Sequence, residues 1–386
     1  MKKLSLLSKT FIFIIFFVLI FVVVKTGLIT LHVIDFYKGD NWKVVEKSDD
    51  PIYDKIMSLE TNIENRINNY FPLYQNINSI YYYSIIDIDS LYLRDIYLKN
   101  NSDNEKLFFN KNNSTYFIVN NYSDEELEKR LNEQINRYVN LANNYEDVNF
   151  YMYMPYRYEM VNNINNIKEY IDNFNNSIDN KIKIGYLDSG DDYYNYFYKS
   201  DHHYNAYGAL KVYKDIINLL DKEDNKEYKV KEVLEPYYGS MAKSILSTRV
   251  SDTLTAIDYP NNLEVNIKDK KFKPLDINKK NNPFYDYYVG YFDGQYDEVI
   301  YTNNDIKSDD NLLIISDSLA WQIDYLIASN YKNTYVVNLR YGKFKDKDFN
   351  LSDYVENKNV KNVLYLQEAE VELFDLYNLY LNKGVK

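Results

Sequence analysis

Three histidines occur in the 386-residue chain, and two of them are adjacent in the stretch Tyr198-Lys199-Ser200-Asp201-His202-His203-Tyr204. An imidazole is the side chain best suited to exchange a proton near neutral pH, and a neighbouring carboxylate can decide which ring nitrogen carries the hydrogen. In an extended loop, residues two apart face the same way, so Asp201 pairs with His203 while His202 points elsewhere. More than a hundred positions later, the apolar run Leu312-Leu313-Ile314-Ile315 leads into Ser316-Asp317-Ser318. A serine hydroxyl is a weak nucleophile until a base within hydrogen-bond reach takes its proton. Asp201, His203 and Ser318 are therefore the parts of an acyl-transfer triad in the chain order Asp, His, Ser. The Ser318 backbone N–H, at an expected helix start, is a candidate donor to an oxyanion.

Each part also has a plainer reading. A lone Asp-x-His can be a satisfied loop pair, and a serine after a strand is commonly an N-cap. His202 reads more readily as structural than as chemical. Asp201, His202 and His203 are competent zinc or iron ligands, but the remaining histidine, His32, lies at the edge of the apolar N-terminus, so a metal site would need distant carboxylates. No metal or other cofactor is implied.

The elements that must position these groups follow a βα rhythm. Ser123-Asp124-Glu125-Glu126 has the form of a helix N-cap with an acidic first turn, and Leu127, Leu131, Ile135, Tyr138 and Leu141 follow at helical spacing. A short apolar strand, Val148 to Met154, comes next and is closed by Pro155. Helix over Val161–Phe174, strand over Ile182–Leu187 and helix over Ala206–Leu220 with Asn205 as cap continue the alternation, which predicts an α/β domain with a mostly parallel sheet. Residues 228–302 read as a β-rich insertion, with alternating stretches such as Thr248–Ser251 and Leu263–Ile267. The rhythm then returns with strand Leu312–Ile315, helix Leu319–Ser329, strands Thr334–Leu339 and Val363–Leu366, and a final helix Glu368–Leu381. Ser318 thus falls just past the carboxyl end of a buried strand, where open parallel sheets bind ligands.

A chain with 46% hydrophobic residues can build a large core, and a balance of 45 Lys+Arg against 57 Asp+Glu argues against a nucleic-acid partner. The absence of cysteine excludes disulfides and thiolate chemistry. The 44 tyrosines are read either as compositional bias or as platforms for sugar rings. Lys2, Lys3 and Lys9 precede the apolar stretch Thr10–Val24, and Lys25 precedes a second one, Gly27–Leu31. This is the pattern of a single membrane span with a cytoplasmic N-terminus and an extracytoplasmic main chain. A cleaved signal peptide is the rival reading, but no small-residue cleavage site lies near Lys25. The expected organisation is a cytoplasmic tip and anchor over 1–31, a polar stem with little chemistry over 32–122, and the α/β domain over 123–386.

The joint pattern is more specific than its parts. The sequence Tyr-x-x-Asp-His-His-Tyr (198–204), the following Gly208-Ala209, Tyr238-Gly239-Ser240, Ile314–Ser318 and Asn338-Leu339-Arg340-Tyr341 resemble the DHHW family of bacterial surface proteins. That family is similar to the alginate O-acetyltransferase-like proteins of the SGNH hydrolase superfamily. The resemblance spans about Leu131 to Leu366 and the N-terminal anchor. It implies a three-layer α/β/α fold with Ser318 as nucleophile, His203 as base and Asp201 orienting it. It also implies transfer of acetyl groups to a polysaccharide, with a multi-span membrane acyltransferase as the usual acyl source. The chain departs from the family pattern at Tyr204, where a tryptophan is usual, and at Ser316 and Leu319. Tyr204 keeps an aromatic wall at the site. Gln295 stands where a Gly-Asn pair is expected, and its amide is a weak candidate for an oxyanion contact. A carbohydrate esterase using the same triad and a catalytically silent glycan-binding or scaffold protein are the alternative functions.

Overall fold

The computed structural model describes residues 74–375, apart from 90–92, 94, 103–104, 121, 156–166, 179–180, 188–192, 225, 259–262, 268–282, 293–294 and 345–348. Among the described residues no helix is long and apolar enough to cross a membrane, and the expected anchor at 1–31 lies outside them. Ser79–Lys386 forms one compact unit.

In chain order the elements are α1 Tyr74–Asp89, β1 Asp95–Ser102, β2 Glu105–Asn110, β3 Thr115–Asn120, α2 Asp124–Asn144, β4 Asn149–Met154, α3 Ile167–Ser177, β5 Ile182–Tyr186, α4 Tyr193–Tyr196 and α5 Ala206–Leu219. They continue with β6 Val230–Tyr237, α6 Ser240–Ser244, β7 Asp252–Ile257, β8 Leu263–Ile267, α7 Tyr287–Phe292, β9 Glu298–Asn303 and β10 Asn311–Ser316. A 3₁₀ turn, Ser318–Gln322, leads to α8 Asp324–Ala328, β11 Asn333–Val337, α9 Ser352–Val355, β12 Val360–Leu366 and α10 Ala369–Phe374.

The main sheet is mixed, with strand order β5-β4-β12-β10-β11-β9-β8. Its first five strands are mutually parallel, and β9 joins β11 antiparallel. All six residues of β10 are buried, which explains its unbroken apolar run: a central parallel strand is covered on both faces. Side chains alternate between the two coats. Leu313, Ile315, Met152 and Val363 pack with Leu127 and Tyr138 of α2 and Phe174 of α3 on one face. Leu312, Ile314, Val336 and Leu364 pack with Val212 and Ile216 of α5 and Leu326 of α8 on the other. These are the three layers expected.

Local capping agrees with the sequence. Ser123 Oγ accepts the Glu126 amide at 3.3 Å, and Asn205 Oδ1 accepts the amides of Tyr207 and Gly208 at 2.9 and 3.1 Å, so both helices start where a short polar side chain satisfies first-turn donors. The single helix expected over Leu319–Ser329 divides into the 3₁₀ turn and α8. The expected β-rich insertion also divides. β6 and β7 form a separate antiparallel ribbon, whereas β8 and β9 extend the main sheet. Thr248–Ser251 is the approach to β7 rather than a strand.

The expected stem is corrected most. Its residues from 79 onward belong to the compact unit, where β1, β2 and β3 form an antiparallel sheet. Ile96, Leu98, Leu107, Phe109 and Tyr116 of that sheet and Ile86 of α1 pack on Met241 and Ala242 of α6 and on Ile245 at its end. β1 and β2 bury alternate apolar residues, a weak signal in an Asn-rich stretch, and β3 buries Thr115, Tyr116 and Phe117 in succession. The sheet also reaches the histidine loop: the Tyr116 amide donates to the Lys199 carbonyl at 2.9 Å, and Thr115 Oγ1 donates to the same oxygen at 3.1 Å.

Two predictions follow from this packing. Leu107→Ala, at a fully buried position, should lower unfolding free energy by about 2–5 kcal/mol, read as a lower denaturant midpoint. The second concerns Glu372 of α10, whose carboxyl is pushed up to about 8, first by burial, although Tyr138 donates a hydrogen bond to it and Arg137 lies near. An acid that stays protonated in the native state stabilises it at low pH. That contribution is complete below the ordinary carboxyl range, at about pH 4.5, and is lost as pH rises from there to about 8. The denaturant midpoint should fall over that window, and Glu372→Gln should flatten the fall.

Candidate active site

The histidine loop lies between α4 and α5, pinned by an isolated bridge between Phe197 and Tyr204. Within it, His203 Nδ1 and Asp201 Oδ1 are 2.6 Å apart, and the His203 backbone amide donates to the same oxygen at 3.1 Å. On the far side of the ring, His203 Nε2 is 2.8 Å from Ser318 Oγ. The three residues picked from the sequence are thus brought into one hydrogen-bonded line across 115 positions of chain. Asp201 and His203 are buried and Ser318 is half-buried, so the line runs from the interior outward to the reactive hydroxyl.

Asp201 is held by more than the histidine. Its Oδ2 accepts from the Tyr237 hydroxyl at 2.5 Å and the Ser240 amide at 2.8 Å, and its Oδ1 also accepts from Ser240 Oγ at 3.3 Å. Burial alone pushes this carboxyl up, but the charge and hydrogen bond of His203, the charge of His202 and the Tyr237 donor together hold it well below the usual carboxylate range. Burial, then the adjacent Asp201 charge, drives the Tyr237 phenol far above its ordinary value, which keeps it a donor. Gly239 makes this packing possible: a Cβ there would sit 2.2 Å from Asp201 Cβ and 2.4 Å from Oδ2. The preceding Ser200 is fixed in turn by Asp252, which accepts from its amide at 2.8 Å and its hydroxyl at 2.6 Å.

The nucleophile turn is anchored at its base and along its backbone. Asp317 Oδ1 caps it by accepting the Leu319 amide at 2.8 Å, and Asp317 Oδ2 accepts the Glu368 amide at 3.0 Å, tying the turn to the end of β12. The Ser318 amide takes part in none of these bonds, which leaves it available as an oxyanion donor.

Three sequence expectations need correction. Tyr204 is fully buried; its hydroxyl donates to the Leu319 carbonyl, and its own carbonyl accepts Gln322 Nε2 at 2.7 Å. It therefore holds the nucleophile turn instead of forming a wall against substrate. Gln295 is exposed and makes no hydrogen bond to the triad residues. His202 does not point away: the loop bends, so its Nδ1 lies 2.7 Å from Ser240 Oγ and its ring centroid is 3.8 Å from that of His203. Asp201, His202 and His203 offer ligand atoms within 4.8 Å of one another, a spacing that a cation could use. Both nitrogens of His203 and Oδ1 of Asp201 are already committed to hydrogen bonds, so a cation would have to displace the triad contacts.

Two residues escaped the sequence reading of the site. Tyr288 of α7 stacks on the His203 ring with centroids 3.8 Å apart and planes inclined by 17°, and its hydroxyl donates to the Ser318 carbonyl at 3.2 Å. Asn338 follows β11, the parallel neighbour of β10, and by strand alternation faces the same side as Val336, that of α5. Its Oδ1 accepts from Arg340 N at 3.1 Å and Arg340 Nε at 3.3 Å, which settles the orientation of the amide. Its Nδ2 is buried with no partner among the described residues. A buried donor of this kind calls for a partner from outside the chain, a water, an ion or a ligand. The sequence signals for Asn338 were its place after a buried strand and its membership of the Asn338-Leu339-Arg340-Tyr341 motif, neither of which assigned it a task.

Asp201→Asn should destabilise the protein by about 1–3 kcal/mol at neutral pH, because an amide has one acceptor oxygen where the carboxylate has two, and buried donors of His203, Tyr237 and Ser240 lose their partner. A depressed native carboxyl stabilises above its unfolded value near 3.8 and loses that contribution as pH falls below it. The gap in denaturant midpoint between wild type and Asp201→Asn should therefore close below about pH 4.

No protein-family model matches the chain, and no curated protein matches it in sequence. Solved structures do share its fold. The Bacillus cereus protein PatB1 aligns with a TM-score of 0.53 at 17% identity, covering 72% of this chain and 99% of PatB1. A DHHW family protein from Eubacterium siraeum aligns at 0.52 and 15% identity, covering 75% and 98%. PatB1 carrying a sulfonyl adduct aligns at 0.51 and 16% identity, covering 69% and 94%. The chain therefore has the three-layer fold of PatB1 and the DHHW family protein.

Proposed function

We propose that the protein is an O-acyltransferase that moves an acyl group, most simply acetyl, through an acyl-serine on Ser318 to a hydroxyl of a cell-surface or secreted polysaccharide. The observation that carries this reading is the continuous relay from Asp201 through His203 to a half-exposed Ser318 Oγ. In the first half-reaction His203 Nε2 takes the Ser318 proton as the oxygen attacks the donor carbonyl, and Asp201 stabilises the imidazolium through Nδ1–H. The tetrahedral oxyanion is held by the Ser318 amide and by Asn338 Nδ2, whose buried donor has no other partner. The proton then passes to the leaving group, which departs with the donor remnant. In the second half-reaction His203 deprotonates the sugar hydroxyl, which attacks the acyl-serine and regenerates Ser318.

The motif resemblance supports a glycan acceptor and an acyl donor delivered by a multi-span membrane acyltransferase, and the fold shared with PatB1 and the DHHW family protein is the one that resemblance implies. The charged flank and apolar stretch of residues 2–31 support anchoring at the cell membrane with the α/β domain outside. A carbohydrate esterase would use the same first half-reaction and differ only in letting water resolve the acyl-serine.

Intact-mass analysis after incubation with an activated acetyl ester tests the reading. Wild type should gain one acetyl group, Ser318→Ala none, and His203→Ala should acylate on the order of 10⁶-fold more slowly. Asn338→Ala should keep the fold and lose about 10²–10³ in acylation rate. Folded wild type that never acylates would remove the enzyme reading in favour of a glycan-binding scaffold. Deacylation accelerated by added polysaccharide, with acetyl recovered on the glycan, marks the transferase; deacylation by water alone marks the esterase.

A further inference from the structure

We infer that Tyr288, a residue of the segment between the two halves of the catalytic motif, is a positioning residue that locks the base and the nucleophile to each other. The inference rests on the Ser-His-Asp reading above and adds a fourth member with a distinct task. An imidazole on a two-bond tether can rotate about its Cβ–Cγ axis, and each rotation swings Nε2 off the line to the serine. The Asp201 and Ser318 contacts fix the two ends of the ring, and His202 packs beside it at 39°, but two in-plane contacts leave the plane free to tilt about the line that joins them. The Tyr288 ring lies nearly parallel to the His203 ring, 17° apart at 3.8 Å, and removes that tilt. The same side chain then reaches the nucleophile, where its hydroxyl donates to the Ser318 carbonyl at 3.2 Å.

That second contact has a partner. Tyr204 donates to the carbonyl of Leu319, so two phenols hold two consecutive carbonyls of the nucleophile turn. Burial holds the Tyr288 phenol protonated, which keeps it in the donor role. Tyr288 is itself fixed, because Trp321 stacks on it at 5.9 Å and 28° and Phe292 packs at 4.8 Å. Its ring therefore sets the plane of the base while its hydroxyl sets the height of the serine. Misplacing either by about 1 Å costs on the order of 100-fold in rate.

The probe is phenylmethylsulfonyl fluoride, which sulfonylates an activated serine: the Ser318 oxygen bonds to sulfur, fluoride leaves and His203 receives the proton. The full chain is labelled as wild type, Tyr288→Phe, Tyr288→Leu and Ser318→Ala. In parallel, proton NMR follows the far-downfield resonance of His203 Nδ1–H. Tyr288→Phe keeps the stack and loses only the hydroxyl contact; its labelling should slow about tenfold, the loss expected for one hydrogen bond of roughly 1.4 kcal/mol, with the resonance intact. Tyr288→Leu should slow about 100-fold, with the resonance broadened as the ring gains freedom. Thermal unfolding of both variants checks the fold. Labelling at the wild-type rate in both variants, with an unaltered resonance, would overturn the inference. If Tyr288→Leu fails to fold, Tyr288→Phe decides alone: a tenfold loss supports the inference and an unchanged rate overturns it. A wild type that is not labelled at Ser318 would strike the triad reading instead, and the resonance, which needs no probe, would still decide whether Tyr288 orders His203.

Discussion

The site depends on one buried charge. Asp201 is almost wholly removed from water, and an isolated carboxylate there would neutralise or unfold its surroundings. It remains ionised because donors surround it: the amide and ring of His203, the hydroxyl of Tyr237, and the amide and hydroxyl of Ser240. The backbone at Gly239 must come so close to bring those donors in that no side chain fits. The imidazole orientation is thus one result of a larger requirement, the complete satisfaction of a desolvated anion.

Ser318 is placed by the sheet. β10 is the most completely buried strand, paired on both sides by parallel neighbours, so its carboxyl end is a rigid platform. Asp317 converts the end of that strand into a turn by accepting two amides, one from the turn and one from the segment after β12. Two rigid bodies, the α5 entry loop and the β10 exit turn, meet across the space between His203 Nε2 and Ser318 Oγ. Tyr204 and Tyr288 cross that junction with hydrogen bonds to main-chain carbonyls.

Much of this was readable in the residues. The triad was legible because only a few side chains can act as base, orienter or nucleophile, and in this chain two of them share one loop. The α/β layers were legible because β10 and α2 carry strong periodic patterns. What escaped has one physical cause: it depends on contacts far apart in sequence. Tyr288 and Tyr237 are two among 44 tyrosines, and nothing local distinguishes a phenol that meets His203 or Asp201. Tyr204 was credited with an aromatic wall at the site because it stands where the family motif has a tryptophan, whereas it is fully buried and holds the turn at Ser318. Gln295 was a candidate oxyanion contact by its place in a motif, yet it is exposed, whereas Asn338, quoted in the same resemblance without a role, holds a buried amide nitrogen that has no partner among the described residues. The β1–β3 sheet was missed because its strands are short and set amid asparagines, and the partner that covers them, α6, lies more than a hundred residues away.

That small sheet has a consequence for how the chain acquires chemistry. Through Tyr116 it grips the carbonyl of Lys199, while Asp252 grips the next residue, Ser200, and Tyr237 and Ser240 grip Asp201. The surroundings of His203 are therefore assembled by segments from three distant parts of the sequence, and Ser318 adds a fourth. Each such contact must first overcome the entropy of closing a long loop. In a partly unfolded chain Ser318 has no fixed place beside Asp201 and His203, so their alignment belongs to the finished tertiary structure alone.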